Sequence, residues 1–129
     1  AYKKSGPNVL GVEALQGDDG CTGVKVNTAD GYADYLFSAT DMQAHHPSKR
    51  VSFCGGLGLI REKEGQIQLM YLGCGRSLKK GNFVLESDHD VYAAIYMQHG
   101  VWYYSATGPV RVKIGKETKE LNEGYNQKL

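Results

Sequence analysis

Hydrophobic residues in this chain recur with two different periods, and the change falls near Pro47. Before it, Tyr32, Tyr35, Leu36 and Ala39 stand at i, i+3, i+4 and i+7, the stripe of an amphipathic helix. Thr28 sits where an N-cap belongs, and Asp30 falls in the first turn, where a carboxylate favours the helix dipole. The spacing therefore predicts a helix from Thr28 to about Gln43, ended because Pro47 drives His46 out of the helical region. After Pro47 the period becomes two. Arg50 to Phe53 reads as a strand, and Leu57 to Lys63 with Gln66 to Leu72 reads as a hairpin across Glu64-Gly65. Cys74 to Lys80 reads as a loop and Ser87 to Asp90 as a polar turn. Val91, Ala93, Ile95 and Met97 share one face of the following strand, opposite Tyr92, Ala94 and Tyr96, so that strand is expected at the centre of a sheet. Val101 to Ala106 and Val110 to Ile114 complete the alternating segments, and Cys21 to Val26 adds a short one. Residues 1–20 read as an irregular arm with a strand near Asn8 to Ala14, and residues 116–129 as a frayed charged tail. The expected fold is α+β: a single domain, 1–129, with one helix packed on a twisted antiparallel sheet of about five strands.

Composition adds limits. A chain of 129 residues suits one domain with one core. No apolar run approaches the roughly 18 residues that span a bilayer, so no transmembrane helix and no membrane partner are expected. A net charge of +1 excludes nucleic-acid binding through bulk charge, leaving short basic pairs such as Lys49-Arg50 and Lys79-Lys80 as local patches. The start Ala1-Tyr2-Lys3-Lys4, without Met, leads to the expectation of a processed, secreted protein. Three cysteines allow one disulfide. Cys54 and Cys74, each beside glycines at strand ends, are the favoured pair, and three reduced thiols are the alternative.

Candidate chemistry is sparse. The four histidines and three cysteines do not stand at zinc-motif spacings, so no metal and no cofactor are expected. Gly55-Gly56-Leu57-Gly58 is followed by no Lys-Ser/Thr and helix, so it reads as a bend leading into the hairpin rather than a phosphate loop. In Val101-Trp102-Tyr103-Tyr104, alternation puts Trp102 and Tyr104 on one face, taken as the outward pair.

The order of helix, His46-Pro47, strand, and then a strand–turn–strand unit over Asn82 to Gly100 resembles the small fungal ribonucleases of the ribonuclease T1 type. It resembles still more the secreted ribonuclease-like effectors of powdery mildew fungi. The likeness covers about residues 21–100. That resemblance implies catalytic groups that are largely absent. The family's Tyr-Pro-His triplet is here His46-Pro47-Ser48, its basic Glu falls near Gln68 or Leu69, and its Arg falls near Asn82. His99 alone lies near the general-acid position. The family's second cysteine near the C-terminus has no counterpart, since none follows Cys74. What the resemblance implies is therefore a degenerate ribonuclease. It would be a secreted effector translocated into the host cell, where it binds a host plant protein, an immune receptor that makes it an avirulence protein, or RNA. Its binding surface would be Lys49, Arg50, Lys79, Lys80, Trp102 and Tyr104, with His46 beside them. Two other readings stand beside it. One is an active ribonuclease using His46 and His99 as acid and base, with Arg50 or Lys80 on the phosphate. The other is an unrelated small β-rich domain, an inhibitor or a carbohydrate binder.

Overall fold

The computed structural model describes residues 9–15, 20–48 and 50–129. They form β1 (Val9–Leu15), β2 (Cys21–Thr28), β3 (Tyr32–Ala39), β4 (His45–Ser48), β5 (Val51–Lys63), β6 (Gln66–Lys80), β7 (Phe83–Gln98), β8 (Val101–Ala106), β9 (Val110–Ile114), β10 (Glu117–Leu121) and β11 (Gly124–Lys128). All the pairings are antiparallel, and they join the strands into one eleven-stranded sheet. No helix occurs among the described residues, so the α+β fold, the five-strand sheet and the ribonuclease T1 resemblance are all overturned.

The segment expected to be helical shows why. Phe37 decides it. On a helix it would lie about 200° from Tyr35, pointing to solvent, and nothing would cover an aromatic ring there. On a strand Tyr35, Phe37 and Ala39 share a face, and Phe37 is 1% exposed inside the core. The apparent cap residues close a hairpin instead. The Tyr32 amide donates to Thr28 Oγ1 (3.1 Å), and the Gly31 amide to the Thr28 carbonyl (3.2 Å). A hydroxyl that satisfies amides three or four residues on serves a turn as well as a helix end. Pro47 lies in β4, which pairs only with β5, and an edge strand tolerates its missing N–H.

The sheet is folded over on itself. Strands β5, β6 and β7 are long enough to belong to two layers, and each bends midway. The larger layer runs β1-β2-β3-β5-β6-β7-β8-β11, and the smaller one contains β4, the first part of β5, the last part of β6, the first part of β7, then β9 and β10. The register slips at each bend, between Cys54 and Gly55 on β5 and between Leu72 and Ser77 on β6. Strands that switch layers through such bends make the corners of a sandwich. Gly55 and Gly75 stand opposite each other at the corner, so close that a methyl on Gly75 would lie 2.6 Å from Leu72 Cδ1 and 2.9 Å from the Gly55 Cα. On β7 the corner is Ser87 to Asp90, the residues expected to be a turn between strands. They remain in β7, held by Ser87 Oγ donating to the Pro109 carbonyl (2.7 Å) and by Arg76 pairing with Asp90 (2.9 Å).

Between the layers lies one core. Phe53, Leu78, Leu85 and Val112 from the smaller layer meet Phe37, Ile60, Met70, Leu72 and Ile95 from the larger, and Phe37 and Phe53 touch across it with centroids 5.9 Å apart. Two further expectations fall here: the Cys74–Lys80 loop is the second half of β6, and the residue 116–129 tail is β10 and β11. The strand expected near Asn8 to Ala14 is present as β1, while residues 1–8 and 16–19 of the arm lie outside the described residues. The Glu64-Gly65 hairpin stands as expected, with both residues at positive φ in the manner of a type I′ turn.

Two outcomes are expected. Gly75→Ala loses about 1–3 kcal/mol of stability by overpacking the corner, read by urea denaturation. The second concerns the buried His45, whose Nε2 lies 2.7 Å from Asp41 Oδ1. That hydrogen bond, with one from the Gln43 amide, holds the Asp41 carboxyl below its ordinary value of 3.8. A depressed carboxylate gives stability that is complete above the unfolded value and disappears as pH falls through the folded one. Asp41→Asn should therefore flatten the fall of stability below about pH 4, measured by thermal unfolding across an acid series.

Candidate binding groove at the open edge

The side of the sandwich opposite the corners is open. Because β5, β6 and β7 bend, their far ends return towards one another and bring two rows of hairpin turns face to face. The larger layer contributes the turns after β2, β5 and β7, and the smaller layer those after β4, β6 and β9. Three hollows lie along this edge. The first, about 410 Å³, is lined by Lys25, Tyr32, Tyr35, Glu62 and Glu64. The second, about 200 Å³, shares Glu62 and Gly65 with it and adds Arg50, Lys80 and Phe83. The third, about 540 Å³, is lined by Trp102, Val112, Ile114, Lys116, Glu117 and Lys119. Phe83 and Trp102 touch with centroids 6.0 Å apart, so the second hollow adjoins the third. Together they form a groove along the mouth between the layers, spanning six strands of the larger layer from β2 to β8 at a spacing of about 4.8 Å, hence roughly 24 Å long.

The groove is cationic and aromatic. Five basic side chains line it (Lys25, Arg50, Lys80, Lys116, Lys119) against three carboxylates (Glu62, Glu64, Glu117). Glu62 is already committed: its Oε2 takes the Lys80 ammonium at 2.7 Å, in a largely buried bridge that ties the two layers. Lys25 and Lys80 also both sit over the Tyr35 ring, at 5.4 and 5.3 Å. The apolar wall of the largest hollow is Trp102 with Val112 and Ile114, and its rim is Lys116 and Lys119, both exposed. Among the described residues no cluster of ligating side chains fit for a metal occurs.

The residues expected from sequence separate here. Arg50, Lys80 and Trp102 meet at the groove. Register explains the first two, since Val51 is opposite Lys80 and the Gly81 amide donates to the Arg50 carbonyl at 3.2 Å. Lys49 lies outside the described residues. Lys79 points away and pairs with Glu86 at 3.6 Å. Trp102 and Tyr104 do not face outward. Tyr104 is 8% exposed in the core, its hydroxyl donating to the Asn122 carbonyl, and Trp102 leans against that core. The outward pair is Val101 and Tyr103. His46 is exposed on the edge strand β4, while His99 occupies the turn after β7 at φ +52°, on the other layer. Neither lines the groove, and no concave sheet brings them together as acid and base. Cys54 and Cys74 form no disulfide. The Cys54 thiol donates to the Met42 carbonyl (2.9 Å), and burial pushes its pKa up, which disfavours the reactive thiolate. Sequence reasoning missed Lys25, Phe83, Lys116 and Lys119. The last two were legible as a hairpin signal, Gly115-Lys116 between two alternating segments.

Residues 9–97, more than half of the chain, match the endo-acting ulvan lyase C-terminal domain family. The chain belongs to that family. A β-sandwich-like domain accords with its membership, where a ribonuclease-like fold does not. Neither the curated proteins nor the solved structures compared with it give a match. The family match spans β1 to most of β7, so the first two hollows fall largely within it. The Trp102 hollow is built mainly from strands beyond it.

The bridge between the layers is open to measurement. In a double-mutant cycle, Glu62→Gln and Lys80→Met should couple by about 1–2 kcal/mol, between the values for exposed and buried pairs. Independent, additive losses in urea denaturation would contradict a direct bridge.

Proposed function

We propose that this domain binds acidic carbohydrate chains and serves as an accessory part of a carbohydrate lyase. Membership of the endo-acting ulvan lyase C-terminal domain family supports the association with such an enzyme. The single observation that supports binding is the long groove with excess positive charge and an indole at its widest point. Lysine and arginine donate charge-assisted hydrogen bonds to carboxylate or sulfate groups on a sugar. Aromatic faces such as that of Trp102 meet the apolar C–H faces of pyranose rings. An edge lined by hairpin turns leaves the groove open at both ends, which suits an internal stretch of polymer more than a chain end. An endo-acting enzyme meets its substrate in that form. No histidine lines the groove, and Glu62 is held by Lys80, so the arrangement favours binding over acid–base chemistry.

Trp102 is the only tryptophan, so its emission reports the largest hollow directly. Titration with alginate or dextran sulfate should shift or quench that emission, with affinity falling as salt rises. Neutral dextran should leave it unchanged. Lys116→Ala with Lys119→Ala should weaken binding roughly tenfold, about 1.4 kcal/mol. Equal binding of neutral and acidic polymers, or none of either, overturns the proposal.

A further inference from the structure

The outer face of the larger layer is apolar. In the register of the sheet, Val24, Leu36, Leu59, Tyr71 and Ala94 are aligned across five neighbouring strands, and all of them point away from the core. On the row beside it, Leu69, Tyr96 and Tyr103 are aligned, and the rings of Tyr96 and Tyr103 stack with centroids 6.1 Å apart. Leu57 and Tyr92 flank the other side, 46% and 55% exposed. An antiparallel sheet normally turns a polar face to water, and this one breaks that alternation over six strands, β2 to β8. The charged groups on it are largely self-cancelling: Asp34 and Arg61 form a two-pronged pair at 2.8 and 2.9 Å, opposite each other in register.

We infer that this face is the interface of a homodimer. Three observations select a second copy of the chain as occupant. The first is area. Six strands at about 4.8 Å by three side-chain levels at about 6.8 Å cover roughly 600 Å². Two copies then bury about 1,200 Å², the lower end of the range for stable complexes. The second is charge. The Asp34–Arg61 pair neutralises itself and the chain carries only +1, so two copies meet without repulsion. The third is position: the hollows of the groove lie at the layer's edge and leave this broad face free to meet its copy about a two-fold axis. Tyrosine and leucine at the centre of such a patch are the groups that carry binding energy in interfaces of this kind. The groove opens at a different side of the sandwich, so a dimer through this face presents two grooves. The inference stands independently of what the groove binds.

Sedimentation velocity of the chain over a concentration series tests it. A concentration-dependent shift from a 14.2 kDa monomer to a dimer is expected. Leu59→Glu and Tyr71→Glu, changes to outward side chains that leave the core untouched, should each weaken the dimer at least tenfold while far-ultraviolet circular dichroism stays unchanged. Met42→Glu, in the connection between β3 and β4 and 42% exposed, should leave it intact. A chain that stays monomeric at every concentration, or a dimer indifferent to both substitutions, overturns the inference.

Discussion

Backbone contact at the corners governs everything else in this molecule. β5 and β6 change layers side by side, which is feasible only where their main chains approach without side chains between them, at Gly55 and Gly75. Once those two strands turn, β7 follows through its irregular Ser87–Asp90 segment, and the two halves of one sheet face each other over a shared core. The hydrophobic energy lies in Phe37, Phe53, Ile60, Met70, Leu72 and Ile95, but the corner decides which of these residues meet.

The groove is a by-product of that folding. Hairpin turns are where lysine and arginine are cheap to place, since they stay solvated, and two rows of them brought together concentrate positive charge. Lys80 shows the coupling of fold and surface. The same ammonium ties the layers through Glu62, lies over Tyr35, and lines the middle hollow. Lining of the groove and stability are therefore not separable at that residue, whereas Lys116 and Lys119 on the rim are free of such duty.

Much of the sheet could be read from alternation. The hairpin at Glu64-Gly65, the central position of β7 and the existence of strand β9 follow from period-two patterns and turn residues, although β9 lies between β7 and β10. What misled was a segment whose apolar residues satisfy two periods at once. Tyr35 and Ala39 fit a helical stripe and a strand face equally, and only the burial of Phe37, a tertiary fact, distinguishes them. The Thr28–Asp30 signal was equally ambiguous, because caps and tight turns use the same hydroxyl and carboxylate chemistry. The corners were partly visible as Gly55-Gly56, yet sequence could not say that a bend there folds one sheet into two layers. Lys80 and Trp102, expected on an outward surface, instead line the hollows at the mouth, since the direction of a side chain depends on which face of the strand meets the core.

Three shared strands also tie the fate of each layer to the other. In an ordinary two-sheet stack, one sheet can loosen while its neighbour persists. Here no cut between the layers avoids β5, β6 and β7, so detaching either layer means breaking the ladder in the middle of all three. The domain should therefore lose its structure in one step, and its mouth cannot gape by separation of halves. Any widening of that mouth is confined to the turn residues at the lips.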